Sequence, residues 1–412
     1  MDKLTMVLKG QKEIIREYFK DLHRQEKVDL TKIEEYLREG TVHRIAVDKR
    51  EILNREITMN ELNEAIQKQK SNKTPGLDEF PSEFYKNVGG VLKKMFLEVC
   101  KDVPLKAKIP NTWKEAYITL IPKEESNTNQ VKSFRPISLL NTDYKIFMTI
   151  MAQRLKGILS KEINMDQNGF LPRRQIRDNI RTVIDLLEYY ESHPGDQMAL
   201  IFLDAQKAFD NLNWDFMKVQ INKMNFGSNF EKMLNVIYDS QRANVLINGE
   251  TTKVFKIEKG VRQGCPLSPL LFITILETLL DRIRGNRNIK GTKIRGQEYK
   301  LQAFADDMVF VIEEPMETGP ILLQEINEFG KLAGLKINKG KTKMLVKNMT
   351  NNKQKKLEET MGLQIVNKIK YLGIWIREKT IMLWEDNYIK ILKQLKKTWI
   401  IRIRCKYHCW EE

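Results

Sequence analysis

The sequence predicts an α+β fold, with helices packed on a mainly antiparallel sheet. Three observations carry this. Residues 198–203, MALIFL, are an unbroken apolar run, the pattern of a strand buried on both faces. Residues 301–305 and 308–312 are two further apolar segments that flank Asp306-Asp307, which predicts a hairpin with two acids at its tip. Elsewhere the apolar residues recur at helical spacing rather than in alternation.

Taken in order, residues 11–26 carry Ile14, Ile15, Tyr18, Phe19 and Leu22 at helical spacing. Thr58 and Glu61 form a capping box ahead of Leu62, Ala65 and Ile66, so a second helix begins there. It stops at Ser71-Asn72-Lys73-Thr74-Pro75-Gly76. A third helix is expected with Phe84, Val88, Leu92, Met95, Phe96 and Val99 on one face. Residues 116–121, AYITLI, read as a short strand ending at Pro122-Lys123, and residues 142–159 and 176–191 as helices. Asn248-Gly249, within Val245 to Ile257, is a strong hairpin signal. Pro266 is expected to open a helix. The stretch Ile369–Ile376 is apolar, and the chain ends in a basic segment with Lys390, Lys393, Lys396, Lys397, Arg402 and Arg404.

Composition narrows the function classes. Seventy Lys and Arg stand against 54 acids among 412 residues, a formal charge of +16. Such a surplus points to a polyanionic partner, most often nucleic acid, although a merely solubilising surface has the same composition. Four cysteines are too few for a disulfide scaffold and predict a reducing compartment, hence an intracellular protein of the nucleus or cytoplasm rather than a secreted one. Cys405, His408 and Cys409 have no matching second pair, which argues against a zinc site. No apolar run is long enough for a membrane helix.

The acids carry the chemistry. Asp204 ends a strand expected to be buried, where an unpaired charge is costly. Asp306 and Asp307 are adjacent like charges with no basic residue in the flanking segments. A polar turn explains the pair alone. With Asp204 on a second buried strand, a divalent cation is the better explanation, because magnesium favours carboxylate oxygens. Two such ions about 4 Å apart activate a hydroxyl and stabilise a leaving pyrophosphate in an in-line displacement.

At this point the residues resemble a known family. FADDMVF around Asp306 resembles the paired-aspartate motif of reverse transcriptases, and LDAQKAFD from Leu203 to Asp210 resembles their first aspartate motif. RQGCPLSPLLF from Arg262 resembles the glycine-containing motif between them. The variants are similar to those of non-LTR retrotransposons, long interspersed elements above all. TPGLDEFPSEFY from Thr74, LIPK ending at Lys123, SFRPISLLN from Ser133, QNGFLPRR from Gln167, GLKINKGKT from Gly334 and IKYLGI from Ile369 follow in the expected order.

The resemblance implies a right-hand polymerase fold: fingers over 1–197, palm over 198–366, and a primer grip with a truncated thumb start over 367–412. It implies an RNA-directed DNA polymerase acting with an RNA template, a DNA primer, deoxynucleoside triphosphates and two Mg2+ ions, with Mn2+ as a substitute. Asp204 and Asp306 would be direct metal ligands, Asp307 a supporting acid, and the Ala205 carbonyl a further contact. Lys123 and Arg135 would hold the triphosphate, and Lys341 would protonate pyrophosphate, although each alone reads as a surface charge. Phe209 would exclude the 2′-hydroxyl of a ribonucleotide, where the plainer reading is a core residue. Gln263 and Gly264 would line the nucleotide pocket. Gly169, Phe170 and Arg174 match a template-contacting segment, and Tyr371, Leu372 and Gly373 the primer grip.

The chain departs from the family at Glu79, where glycine is usual, and at Gln206, where glutamate is frequent. After about Lys397 the pattern is lost. The chain also begins too near the polymerase motifs for the family's upstream endonuclease, and ends too soon for a full thumb or the cysteine-rich tail. The rival from another class is a non-catalytic nucleic-acid-binding remnant of a retroelement. An RNA-templated RNA polymerase shares the palm chemistry, but Phe209 argues against it.

Overall fold

The apolar run Met198–Leu203 becomes the middle strand of a five-stranded sheet, with every one of its residues buried. This computed structural model describes residues 3–40, 43–123, 130–389, 392, 395 and 396. Across the sheet the strands run Gln364–Ile365, Lys343–Lys347, Met198–Leu203, Asp307–Glu313 and Leu301–Phe304. The middle strand is antiparallel to both neighbours, and only the short outer pair is parallel.

Alternation along these strands divides the apolar side chains between two cores. Ala199, Ile201 and Leu203, with Phe310 and Ile312, belong to the main core. Met198, Leu200 and Phe202, with Val309 and Val311, face a second core. That one is closed by Val183, Leu186, Leu187 and Tyr190 of the helix Ile176–Ser192 and by Tyr371 and Ile376. Helices therefore cover one face, and a helix with a hairpin covers the other, which is why the run contains no polar residue.

A second sheet joins Phe134–Leu139, Glu115–Pro122, Arg242–Ile247 and Glu250–Thr251, with Phe255–Lys256 also on Arg242–Ile247. Asn248-Gly249 makes the expected turn between Arg242–Ile247 and Glu250–Thr251, with Asn248 at φ +50°. The Thr58–Glu61 capping box forms as read.

Three local expectations need correction. The single helix expected through Phe84 and Val99 is two helices, Ser82–Asn87 and Gly90–Lys106. The break at Val88-Gly89 resets the helical phase, so Leu97, Cys100 and Val103 face inward while Phe84, Leu92, Met95 and Val99 are exposed. Ile14 of the first helix, Lys3–Leu22, is also exposed, while Phe19 is fully buried. The helix after the glycine-containing motif starts at Ser268, so the proline in its first turn is Pro269 and not Pro266. The basic C-terminal segment, Lys396 apart, and the group Cys405, His408 and Cys409 lie outside the described residues. Among the described residues no helix is long and apolar enough to cross a membrane.

Two positions carry stability predictions. The buried Arg154 guanidinium donates to both Glu61 oxygens at 2.8 and 2.9 Å and to the carbonyls of Leu53, Arg55 and Glu56. It ties the capped helix Met59–Gln67 to the long helix Thr142–Glu162. Burial alone would raise the Glu61 carboxyl, but the hydrogen bonds from Arg154 and Thr58 prevail and hold it at about 2. Arg154→Met leaves a carboxylate and three carbonyls without this donor, so the urea midpoint should fall by the equivalent of about 3 kcal/mol. Because Glu61 is depressed in the folded state, its contribution is complete above its ordinary pKa of 4.5 and is lost as pH falls toward 2. The parent and variant stabilities should therefore converge in acid. Glu79, standing where the family has glycine, is held at φ +60°. Glu79→Gly relieves a left-handed side-chain clash and should raise the urea midpoint by roughly 0.5–1 kcal/mol of stability.

Candidate active site

The three acids meet because of strand register. Leu203 pairs with Met308, so one further step along the antiparallel ladder sets Asp204 across from Asp307. Asp307 also pairs with Phe304, leaving Ala305 and Asp306 as a two-residue turn. Asp306 alone is thus at the tip expected for both acids, and Asp307 is the first residue of the outgoing strand. Asp307 is exposed to solvent. Burial, then the charges of Asp306 and Asp204, raise its carboxyl to about 6. Asp306 is raised too, by burial first and by Asp204. Each acid is thus within electrostatic reach of the others. Among the described residues, no group of three or more His, Cys, Asp or Glu side chains is placed so as to hold a metal ion by itself.

Asp204 is fixed by the segment GLKINKGKT. Asn338 donates its side-chain amide to Asp204 Oδ2 at 2.8 Å and its backbone N–H to the Asp204 carbonyl at 2.8 Å. The Asp204 amide donates to Thr342 Oγ1 at 3.2 Å, and Ala205 bridges to Ile337. The Asn338 carbonyl in turn accepts from the amides of Lys341 and Thr342, which sets Lys341 on the same loop. Sequence reading missed Asn338 and Thr342, although both lie inside a quoted motif.

Basic side chains lie within electrostatic reach of one another and of Asp204. The Lys123 amine is lowered by burial and by the charges of Lys207, Lys341 and Arg135, against the opposing pull of Asp204. That pattern brings Lys123, Arg135, Lys341 and Asp204 into one neighbourhood and adds Lys207, which sequence reading passed over. Lys207 donates to the Tyr18 hydroxyl at 2.7 Å and lies 4.5 Å over the Tyr18 ring.

Phe209 is half-buried and stacks on Phe272 with centroids 4.6 Å apart, while Phe170 meets its edge at 6.3 Å. It packs against the main core and keeps part of its ring exposed. Gln263 donates to Asp210 Oδ1 at 3.0 Å, and its carbonyl accepts from the Ser138 amide at 2.8 Å. Asp210 was not among the expected site residues. It is buried, and burial raises it to about 6 despite Lys207 and Gln263. Gly264 has φ +125°, and a Cβ there would stand 2.7 Å from the Ser138 carbonyl oxygen, so no other residue fits without displacing the strand.

The remaining expected residues fall into two groups. Tyr371 packs on Phe202 at 5.3 Å, and its hydroxyl is pushed up by burial and by the charge of Asp307. Leu372 and Gly373 turn the hairpin that carries it, between Lys368–Tyr371 and Ile374–Arg377. Gly169 lies against the Ala305 backbone, and Phe170 is partly exposed. Arg174 faces inward, donating to the carbonyls of Ser160, Ile163, Asn164 and Gln167.

Comparison with known proteins agrees with this geometry. The family described as "Reverse transcriptase (RNA-dependent DNA polymerase)" matches residues 121–376, more than half of the chain. A 149 kDa protein of transposon TX1 from Xenopus laevis is 33% identical over 268 residues, covering 65% of this chain and 20% of that protein. The Pol polyprotein of retrotransposable element R2DM from Drosophila melanogaster is 28% identical, covering 65% of this chain and 25% of its own length. That of element R1 from Bradysia coprophila is 27% identical over 335 residues, covering 79% and 32%. The chain thus spans a fifth to a third of the length of these relatives. Apo telomerase from Candida tropicalis, truncated from its C-terminal domain, superposes with a TM-score of 0.42 at 14% identity over 70% of this chain and 59% of that one, too distant to carry an argument. On the extent of the family match, the chain belongs to the reverse transcriptase family and has its right-hand polymerase fold.

Proposed function

We propose that this chain is an RNA-directed DNA polymerase that extends a primer along an RNA template with deoxynucleoside triphosphates. The observation that carries the reading is the strand register that sets Asp204 across from Asp307, with Asp306 in the adjoining turn and the charge of Asp204 felt at Lys123. In this reading residues 1–197 form fingers, 198–366 the palm, and 367–412 a primer grip with the start of a thumb. Residues 166–168 lend an edge to the palm sheet.

The donor set fits divalent magnesium, or manganese in its place. Asp204, Asp306 and the Ala205 carbonyl offer hard oxygen ligands, and Asp307 adds negative charge. Bound there, the two ions would activate the primer hydroxyl and stabilise the departing pyrophosphate. The chain's own residues do the rest. Lys123 and Arg135 neutralise the triphosphate, with Lys207 deepening the positive field, and Lys341 offers a proton to the pyrophosphate. Gln263, oriented by Asp210, and Gly264 line the nucleotide pocket. The ring of Phe209, backed by Phe272, occupies the space a ribose 2′-hydroxyl needs. The Tyr371-Leu372-Gly373 hairpin supports the primer end beside Asp307. Gly169 and Phe170 face the template, and Arg174 holds their segment from behind.

Primer extension on RNA tests the reading. The parent chain should add deoxynucleotides only with magnesium or manganese present, and Asp306→Ala should lower the rate by a factor of ~1,000 or more, about 4 kcal/mol of barrier. A variant as fast as the parent would remove Asp306 from the chemistry. A parent chain that binds primer and template but never extends them would favour a binding remnant.

Sugar choice tests Phe209 separately. Phe209→Val should admit ribonucleotides about tenfold or more better relative to deoxynucleotides, with deoxynucleotide addition largely kept. Single-turnover competition between the two nucleotides measures the ratio. An unchanged ratio makes Phe209 a core residue only.

A further inference from the structure

The turn that bears Asp306 is poorly suited to hold itself. Its first residue, Ala305, sits at φ +57°, a conformation that costs a non-glycine residue energy and persists only where neighbours enforce it. Its second residue is an acid beside another acid. Neither residue supplies the Asn-Gly or Gly chemistry that stabilises a two-residue hairpin turn.

The enforcing contact comes from Gln167, which is fully buried. Its side-chain oxygen accepts from the Ala305 amide at 2.9 Å and from the Gly169 amide at 2.8 Å. Its side-chain nitrogen faces the Ala305 carbonyl at 3.4 Å. One neutral side chain therefore grips both backbone groups of the strained turn residue, and adds no charge next to the acids. Further contacts brace the same segment. The Asn168 amide donates to the Ala303 carbonyl and the Ala303 amide to the Asp166 carbonyl, both at 2.8 Å, so residues 166–168 run along the edge of the strand before the turn. Buried Asn179 donates to the Ala303 carbonyl at 3.0 Å. Gly169 lies so close that an added Cβ would stand 2.4 Å from the Ala305 nitrogen.

We infer that Gln167 is a positioning residue for polymerisation: by clamping Ala305 it fixes where the Asp306 carboxylate stands relative to Asp204. The inference rests on the function proposed above. Gln167 touches neither substrate nor metal; it acts through the turn. A misplacement of about 1 Å in such a constellation costs on the order of 100-fold in rate.

The test uses three variants of the full chain and two kinds of measurement. Gln167→Met keeps the length and loses both polar atoms. Gln167→Glu keeps an accepting oxygen. Gly169→Ala leaves Gln167 intact but presses on Ala305. Amide hydrogen exchange reads the clamp without any catalysis, and single-nucleotide addition reads its consequence. In Gln167→Met, protection at residues 304–307 should fall, kcat should drop ~10–100-fold, and the magnesium concentration for half-maximal rate should rise. Primer–template Kd and the KM for deoxynucleotide should change less than threefold. Gln167→Glu should retain protection at Ala305 and lose less rate than Gln167→Met. Gly169→Ala should repeat the losses of protection and of kcat seen in Gln167→Met, whatever it does to template affinity, since Gly169 itself faces the template in the proposed reading; these two readouts decide the matter if Gln167→Met does not fold. Unchanged exchange at Ala305 in Gln167→Met, or equal loss of kcat, primer affinity and thermal stability across the three variants, overturns the positioning role. Lost protection in a chain whose parent never polymerises leaves the clamp standing and overturns the polymerase reading instead.

Discussion

Everything at the site depends on one backbone register, the antiparallel pairing of Met198–Leu203 with Asp307–Glu313. A one-residue slip would turn every side chain of the strand to the opposite face. Leu200 and Phe202 would then leave the second core for the first, and Asp204 would no longer stand across from Asp307. The two cores make that slip costly. Each is lined by alternate residues of the same strands, so the apolar pattern that buries the sheet is also the device that aligns the acids.

With register fixed, the acids face a second constraint, their mutual repulsion. Burial and like charge both raise Asp307, and both raise Asp306. Among the described residues neither acid has a salt-bridge partner. Basic side chains act on the group at longer range, through Asp204 and Lys123, and Asp307 is left exposed. A direct Arg or Lys partner would neutralise the acids but block the approach of a cation and a triphosphate. A separated arrangement keeps an anionic spot for cations next to a cationic rim for phosphates. Asn338 shows the same economy, orienting Asp204 with a neutral amide.

How far the sequence alone could reveal this follows from the range of each interaction. The capping box at Thr58 and Glu61, the Asn248-Gly249 turn and the buried run at 198–203 are written within a few residues, and the structure has them all. The 84–99 region has the spacing of one helix, but the chain breaks at Val88-Gly89 and the phase resets, so residues expected inside are exposed. The acids were visible because charge after an apolar run is costly anywhere. Lys207, Asp210, Asn338 and Gln167 gave no such signal. Each is a polar residue of ordinary type, and its role exists only through partners far away in sequence: Tyr18 for Lys207, Gln263 for Asp210, Asp204 for Asn338 and Ala305 for Gln167. The Glu79 departure was legible as a turn residue lacking its glycine, and its φ of +60° shows why glycine suits the position.

Part of the backbone strain lies beside the candidate site. Phe170, Lys207, Ala305 and Leu372 all have positive φ without being glycine. Each borders a residue of the proposed site: Phe170 abuts Phe209, Lys207 immediately precedes the short helix with Phe209, Ala305 precedes Asp306, and Leu372 follows Tyr371. A residue in that conformation costs of order 1–3 kcal/mol and must be held by its surroundings. The surroundings are specific contacts in at least two cases, Gln167 on Ala305 and the Lys207 amine on Tyr18. Glycine would relieve the strain at Ala305 or Lys207, but it would also let the turn sample other shapes when unclamped. A strained residue under a fixed clamp has one low-energy arrangement. The arrangement at the acids thus depends on tertiary contacts made by segments distant in sequence, so the first helix and the QNGF segment belong to the proposed site as much as the strands that carry the aspartates.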